Sequence, residues 1–464
     1  SGMVAVKRPV CLALARPRLG YSMPTSRLLR IGPVAVAALI LAGPAAAADA
    51  EPRGAAKPYS TAVEHPTPEA APPPAPSAAK DPPFRIRGRV EADAITVSQD
   101  DKSKAIYGNF QNAVGFRRLR LGAEGTAGSQ ASWIAELDFA GGTVAVKNAF
   151  LAIHQLPVLG DVRIGHQLEP FSLEGQAASS WFPFTERSPG YALDPVRSWG
   201  VAFFTHAADE RLTLQAGAFR SGTDNTGNDL GDGNDMAYTA RVTGLPWLDE
   251  STEQPWLWLV GAAGSQRSAK NDVVTFNQGP QSSLLESNTD NPLIPFVPNV
   301  QVAATGNRLV NLQSALLLGP LSVQAEWTAT RIDQIGGRPV VFQGAYVMAS
   351  YFLTGEARGY DRKTATFTHP RVHSEFLCKD GVAGPGAWEL TARLAWLDFD
   401  SSNLPLTATG LETGSRLTTV TLGVNWYLSD TARIMVNYVR AVPTDPNFGS
   451  STADAITVRT AFFW

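Results

Sequence analysis

The chain has 464 residues, of which 44% are hydrophobic and 17% charged, with 41 glycines, 33 prolines and two cysteines. Two cysteines exclude a disulfide-stapled mini-protein, and the low charge argues against a chain that is disordered throughout. After residue 48, no segment approaches the roughly 20 uninterrupted apolar residues that a membrane-spanning helix needs. If the protein spans a membrane, it therefore does so with strands.

The formal net charge of -3 conceals an uneven distribution. The first 48 residues hold six of the 39 basic residues and no acidic one, which leaves 33 basic and 42 acidic residues in the rest of the chain. An acidic body gives a nucleic-acid partner little support. Cys11 lies in the basic N-terminal part, which we expect to be removed, so Cys378 would have no cysteine partner. Neither a disulfide framework nor a cysteine metal site is therefore expected.

Residues 1–48 are predicted to comprise an N-terminal extension and a cleaved secretory signal peptide. Arg27 and Arg30 precede a short apolar stretch, and Ala46-Ala47-Ala48 forms the cleavage site. Residues 49–83 contain ten prolines, a composition that predicts a disordered Pro/Ala-rich linker in the periplasm. Binding of this linker to the cell wall is an open alternative to an inert tether.

The body, residues 84–464, consists of segments in which apolar and polar residues alternate. The clearest segment alternates the apolar residues Val420, Leu422, Val424 and Trp426 with Thr419, Thr421, Gly423 and Asn425. A period of two gives each strand one apolar and one polar face. In a soluble sandwich the apolar face would be the core, whereas in an outer-membrane barrel it faces lipid and the polar face lines water.

Three features favour the outer-membrane barrel. Aromatic residues stand at strand ends, as an interfacial girdle requires, and short turns alternate with long polar loops such as 224–235 and 270–307. The last segment carries Ile456, Val458 and Trp464 on one face, and we expect the barrel-assembly machinery to recognise this terminal aromatic strand. About 380 body residues at about 24 per strand and connection predict an all-β, transmembrane antiparallel β-barrel of about sixteen strands.

The body resembles the phosphate-selective porin family of Gram-negative outer membranes over roughly residues 85–464. Six segments in order carry the resemblance: RGRVEAD (87–93), FRRLRLGAEGT (116–126), GHQLEPFSLEGQAASSWFPFTERS (165–188), YFLTGEARGYDRKT (351–364), GAWELTARLAWLDF (386–399) and GVNWYLSDTARIMVNYVR (423–440). The resemblance implies a sixteen-stranded barrel, usually a homotrimer, with loops folded inward and wall arginines that draw anions to a constriction.

The resemblance also implies which residues line the anion path. Its motifs place the relevant arginines at Arg89, Arg117, Arg118 and Arg187. Strand parity adds Arg120, and the comparison with the family adds Lys147. Arginine suits this role because it stays charged at any relevant pH and offers planar pairs of donors to oxyanions.

Alternatives stay open at three of these positions. Arg89 shares a strand face with Glu91 and could simply pair with that carboxylate. Arg117 has the parity of the apolar face, so either a bulge turns it inward or it snorkels at the membrane rim. Arg187 could be neutralised by its neighbour Glu186.

The sequence also departs from the family pattern. Gly175 stands where the phosphate-selective members place a lysine, and the loop 270–307 contains no arginine but carries Asp272, Glu286 and Asp290. Lys147 replaces a commonly acidic residue and so adds one positive charge. These departures predict a weak anion preference or general diffusion rather than tight phosphate selectivity.

Enzymatic and metal chemistry find little support in the sequence. No nucleophile elbow or phosphate-cradling glycine loop is present. His369 and His373 have a spacing that would align metal ligands only on a helix, and Pro370 argues against one there. The acidic loop 224–235 could bind calcium through oxygen ligands, or be a solvated external loop.

We therefore interpret the chain as an outer-membrane porin, not an enzyme, through which small solutes diffuse passively, mainly anions such as phosphate, without a cofactor. A general non-selective porin and an adhesive or structural barrel with a plugged lumen are the alternatives. The inward face favours a wet lumen because it carries so many charges, and a dry core could hold them only if nearly all were paired.

Overall fold

A computed structural model of the chain describes residues 84–464 except 141, 143, 222–234, 252–253, 255, 279–296, 378–380, 382, 400–402 and 404–414. The predicted signal peptide and linker lie outside the described residues. All of the proposed calcium loop 224–235 except Asp235 also lies outside them.

Alternating sequence segments form the strands of the structure. In chain order these are β1 (Phe84–Gln99), β2 (Ala113–Thr126), β3 (Ala131–Asp138), β4 (Ala145–Leu156), β5 (Gly160–Leu168), β6 (Arg197–Ala207), β7 (Leu212–Arg220), β8 (Met236–Asp249), β9 (Trp256–Ser268), β10 (Val273–Gln278), β11 (Val297–Leu318), β12 (Leu321–Gln334), β13 (Val340–Phe352), β14 (Gly359–Asp361), β15 (Thr366–Thr368), β16 (Ala387–Asp398), β17 (Arg416–Ser429), β18 (Ala432–Asp445), β19 (Gly449–Ser450) and β20 (Ala453–Phe463).

Sixteen of the described strands close into one antiparallel barrel, which confirms the predicted fold. Each wall strand pairs with its neighbours in the chain, and β1 pairs with both β2 and β20, so the described sheet has no open edge along its length. Outside the wall count, β10 and β19 extend β11 and β18, and β14 and β15 form a separate hairpin.

Helical segments are short and lie in connections. They are α1 (Asp101–Tyr107), α2 (Leu173–Gln176) and two 3-10 turns at Pro189–Leu193 and Lys270–Asp272. No helix among the described residues is long and apolar enough to cross a membrane.

The two faces of each wall strand differ as the alternation predicted. On β17, Leu422 is 50% exposed on the outer surface while the neighbouring Thr421 is 1% exposed on the inner surface. The outer surface therefore presents apolar side chains to lipid, and the inner surface collects polar ones.

The seam between β1 and β20 ends on an aromatic residue. The backbones of Gly88 and Trp464 exchange two hydrogen bonds of 3.0 and 3.1 Å. A Cβ at position 88 would lie 2.1 Å from the Trp464 ring, so this close approach requires glycine. We name this end of the barrel, where β1 begins and β20 ends, the terminal rim; Trp388 and Trp426 stack at the same rim, 5.1 Å apart.

One connection at the terminal rim differs from the expected short turns. Residues 353–386 join β13 to β16 there, and this segment contains the β14–β15 hairpin. The expected long loop 270–307, at the opposite rim, instead includes β10 and the beginning of β11. The sequence predicted a loop around His369 and His373, and the β14–β15 hairpin of this connection was not predicted.

Replacement of Leu422 by Arg tests the orientation of the wall. A cation on the lipid face should reduce the free energy of unfolding in lipid vesicles by about 2–4 kcal/mol. Leu377→Arg is the matched control, because Leu377 is 49% exposed but lies outside the strands. Urea-induced unfolding that is equally shifted by both variants would contradict this orientation.

Candidate functional site

Residues 169–196, between β5 and β6, form a segment inside the barrel that we name the inner loop. Side chains of the wall strands β17 and β18 hold its backbone. Arg433 donates hydrogen bonds to the carbonyls of Phe182 and Ser179, and Asn425 donates one to the carbonyl of Pro183. The backbone amide of Thr185 donates to the side-chain oxygen of Asn437, and the four distances are 2.7–3.0 Å. The inward-folded loop that the family resemblance implied is thus present over this segment.

The beginning of the inner loop is attached to β12 through Glu326. This carboxylate accepts hydrogen bonds from the backbone amides of Leu173 and Glu174, at 2.8 and 2.6 Å, in the first turn of α2. Amides at a helix start lack partners within the helix, and a negative charge there is favourable. Ser172 accepts the next one, from Gly175 at 3.0 Å.

The β14–β15 hairpin, which we name the inner hairpin, also enters the lumen. Arg241 of β8 donates to the carbonyl of Ala365 at 2.8 Å, and Gln215 of β7 donates to that of Thr364 at 2.8 Å. Arg362 forms an ion pair with Glu250 at 2.9 Å. The inner loop and the inner hairpin thus contact the wall strands β7, β8, β12, β17 and β18.

Open space remains on the side of the wall formed by β1 to β6. A cavity of about 310 Å³ lies between β1 and the inner loop, lined among others by Arg87, Arg89 and Trp181. A second cavity, of about 510 Å³, lies at the terminal rim along β2 to β5. We take this side of the lumen as the candidate passage.

Arg117 points into the lumen because of a bulge. The pairing of β1 with β2 runs from Glu91–Arg118 directly to Ala92–Phe116 and so skips Arg117. The extra residue turns inward, and its guanidinium pairs with Glu186 of the inner loop at 2.5 Å. Of the two alternatives for Arg117, the structure shows the bulge.

Arg118 and Arg120 face the lumen, as parity predicted, but both are neutralised. Arg118 lies 2.5 Å from Glu91, and Arg120 lies 3.0 Å from Glu136 and 2.7 Å from Asp138. A carboxylate within 3 Å cancels most of the field that a guanidinium projects into the passage. These two arginines are therefore better placed to hold the wall together than to attract anions.

Arg89 bridges the wall and the inner loop. Its Nη1 donates to the hydroxyls of Ser179 and Ser180, at 2.9 and 2.7 Å, while Glu91 is 3.5 Å away. Its Nε has no hydrogen-bond partner among the described residues. Arg89 thus crosses the gap between wall and loop and marks a narrow point of the passage.

Arg187 forms hydrogen bonds with the backbone of the inner loop, to which it belongs. It donates to the backbone carbonyls of Glu174, Gly175 and Ala177, at 3.1, 3.3 and 2.8 Å, and its guanidinium lies 4.8 Å from the Tyr191 ring centroid. The adjacent Glu186 carboxylate pairs with Arg117 and Arg459 from the wall.

Lys147 and Arg197 form a positive pair of side chains on the passage wall. Lys147 lies where β3 and β4 change register, and its strongest electrostatic interactions are with Arg120, Asp138 and Arg197. Arg197, at the start of β6, donates through Nε to Asn148 at 2.9 Å. Within the described part of the chain, neither cation forms an ion pair.

Sequence reasoning included Lys147 but missed Arg197. The alternation RSWGVAF placed Arg197 and Trp199 on one apparent face, which disguised the inward position of the arginine. The proline two residues earlier and the polar Ser198 were the available signals that the strand was only beginning.

The structure gives a reason for Gly175. A Cβ at this position would lie 2.6 Å from Ser172 Oγ and 3.2 Å from the Tyr191 ring. A lysine here would displace the hydroxyl that caps α2, so this chain cannot carry one without rearranging the inner loop.

The histidines considered as metal ligands have other neighbours. The His369 ring lies 5.1 Å from that of Trp181, and His373 Nδ1 lies 3.8 Å from the carboxylate of Glu356. Both belong to the 353–386 connection, whose described residues include no helix that would align them.

Fold and site together define a transmembrane β-barrel whose lumen is narrowed, but not filled, by inserted segments. Residues 84–464 match the family described as phosphate-selective porin O and P. The chain therefore belongs to this porin family, and it forms a channel in the outer membrane rather than an enzyme.

Individual relatives are distant. Porin O of Pseudomonas aeruginosa is 24% identical over 410 residues, which cover 81% of this chain and 87% of the relative. An uncharacterised protein of Caulobacter vibrioides is 27% identical over 362 residues, 75% of this chain and 67% of the relative. An anion-selective porin from Comamonas acidovorans has a similar structure at 13% identity, with a TM-score of 0.49 over 82% of this chain and 99% of that one.

Two carboxyls of the inner loop have pKa values that are shifted in opposite directions. Burial would raise the pKa of the Glu186 carboxyl, but Arg117, Arg459 and Arg118 lower it below its ordinary value, so Glu186 is ionised at neutral pH. Burial raises the pKa of the Asp194 carboxyl well above its ordinary value, and the neighbouring carboxylates Glu326 and Glu174 raise it further.

Replacement of Asp194 by Asn should change how stability depends on pH. A carboxyl whose pKa is higher in the folded state favours folding in acid, and it destabilises the fold increasingly as pH rises above the unfolded value of about 3.9. Asp194→Asn should therefore match the wild type in urea-induced unfolding near pH 4 and become progressively more stable toward pH 8.

Asp101→Asn is the control for this prediction, because Asp101 is fully exposed on α1. If both variants follow the pH dependence of the wild type, Asp194 is ionised in the folded protein and the prediction is wrong.

Proposed function

We propose that the passage conducts small hydrophilic anions, phosphate among them, in weak preference to cations. The observation that carries this proposal is the pair Lys147 and Arg197, two cations on the passage wall that form no ion pair with any described residue. At 4 Å, a single uncompensated charge attracts an anion by about 1 kcal/mol in water and about 4 kcal/mol at a protein surface.

The preference for anions is expected to be weak because Arg117, Arg118 and Arg120 form ion pairs with carboxylates. Arg118 and Arg120 are each within 3.0 Å of a carboxylate, and Arg117 is paired with Glu186. Paired charges form dipoles whose fields decline steeply with distance, so they contribute little to selectivity. A shallow attractive well also lets an anion leave, as conduction requires.

Phosphate is a reasonable solute because Arg89, Ser179 and Ser180 present donors where wall and loop meet. Hydroxyls and guanidinium N–H groups both donate to oxyanions. The family description, phosphate-selective porin O and P, agrees with this solute class. The lysine absent at Gly175 supports a preference for phosphate weaker than that implied by the family description.

The assembly and export of the protein are part of the proposal. We infer a homotrimer in the outer membrane, by analogy with the trimeric form described for OmpT of Vibrio cholerae. Export through a signal peptide within residues 1–48, a periplasmic linker over 49–83, and barrel assembly guided by Trp464 remain predictions from the sequence.

Reversal potentials in planar bilayers test the proposal. Under a KCl gradient, the wild type should be anion-selective. Lys147→Met combined with Arg197→Met should lower the chloride-to-potassium permeability ratio at least twofold, because two cations that form no ion pair with a described residue are gone. Added phosphate should reduce the chloride current of the wild type.

The matched control is Arg308→Met combined with Arg331→Met. It removes the same number of positive charges from exposed side chains that are 58% and 55% accessible and lie outside the lumen. A zero reversal potential in the wild type would indicate a non-selective porin, cation selectivity would show that the wall carboxylates dominate, and no conductance would favour an adhesive or structural barrel. Each of these results would overturn the proposal.

A further inference from the structure

The cavity at the terminal rim contains an arginine with an unusual environment. Arg163 of β5 lies in register between Ala152 of β4 and Ala202 of β6, two buried residues of the inner face. Its guanidinium carbon is 4.0 Å from the ring centroid of Phe204 and 5.4 Å from that of Phe150. The two rings hold the cation by cation–π contact, which uses none of its N–H donors.

The donors of Arg163 are unused by the protein. Among the described residues, none accepts a hydrogen bond from this guanidinium or forms an ion pair with it. Asp161 and Asp361 interact electrostatically with Arg163, but neither forms an ion pair with it, and Asp161 lies 3.0 Å from His154 instead. Arg163 therefore differs from Arg118 and Arg120, which form ion pairs with carboxylates.

The space in front of Arg163 combines polar and apolar surfaces. The cavity has a volume of about 510 Å³, and beside Arg163 it is lined by Phe150, Ile134, Ser132 and His154. Sites of about 300–1,000 Å³ with apolar walls and a few polar groups are typical of small-molecule binding. The lining also includes Arg85 and Glu124, which form an ion pair with each other. An inorganic anion bound to Arg163 would leave the apolar lining in contact with water.

We propose that this cavity binds a small aromatic carboxylate. The carboxylate accepts hydrogen bonds from the free N–H groups of Arg163, and the ring of the ligand packs against Phe150 and Ile134. Guanidinium donors suit the planar carboxylate, and aromatic contact adds stabilisation beyond the burial of apolar area. The site is separate from Lys147 and Arg197, so it extends the range of solutes beyond inorganic anions.

Isothermal titration calorimetry of the full chain in detergent tests this site with benzoate, acetate and inorganic phosphate as probes. The wild type should bind benzoate at least tenfold more tightly than acetate or phosphate. Arg163→Gln should weaken benzoate binding at least tenfold, because the carboxylate loses its partner. Phe150→Leu should weaken benzoate binding and leave acetate binding unchanged.

Arg308→Gln is the control, since this arginine is exposed outside the lumen, and it should bind benzoate as the wild type does. Equal affinity of the wild type for benzoate and acetate, or unchanged benzoate binding in Arg163→Gln, would overturn the proposal. An unchanged far-UV circular dichroism spectrum and unchanged urea-induced unfolding of Arg163→Gln show that the variant is folded. Because the calorimetry does not depend on ion selectivity, its outcome is separate from the test of the anion passage.

Discussion

The buried ion pairs around Arg459 hold together the parts of the lumen on which the passage depends. This side chain of β20 is fully buried, pairs with Asp93 of β1 at 2.7 Å, and donates to the inner loop at the carbonyl of Thr185 and the carboxylate of Glu186. It therefore joins the two strands that close the barrel to the segment that narrows it. Removal of one partner from such a network leaves an uncompensated buried charge, which costs about 3–5 kcal/mol.

This requirement for pairing decides which charges remain for function. The wall carries many arginines, but most of them neutralise carboxylates or hold the backbone of the inner loop and inner hairpin. Charge count on the inner face is thus a poor guide to selectivity. The useful quantity is the charge left after pairing, and on the passage wall it resides at Lys147 and Arg197, with Arg163 near the terminal rim.

The barrel could be predicted from the sequence because the alternation of apolar and polar residues within each strand shows which face meets lipid and which faces the lumen. Alternation such as that around Leu422 depends only on neighbouring residues and on which face meets lipid. The inward position of Arg118 and Arg120 followed from the same parity. Where parity failed, at Arg117, the cause was a single bulge that shifts one residue to the other face.

The state of the site could not be predicted in the same way, because its partners are distant in the chain. Glu186 meets Arg117 and Arg459 only after the inner loop folds back across the lumen, and separations of 69 and 273 residues leave no local pattern. The inner hairpin escaped detection for the same reason: its contacts with Gln215 and Arg241 arise from the closed barrel. Pairing therefore had to be read from the structure.

Anomalous diffraction from crystals soaked in sodium bromide tests most directly the claim that pairing determines the anion path. Bromide is a chloride-like anion whose position can be located without assumptions about function. The account predicts bromide beside Lys147 and Arg197, and none beside Arg118 or Arg120. Bromide bound at Arg118 or Arg120, with none at Lys147 and Arg197, would contradict it.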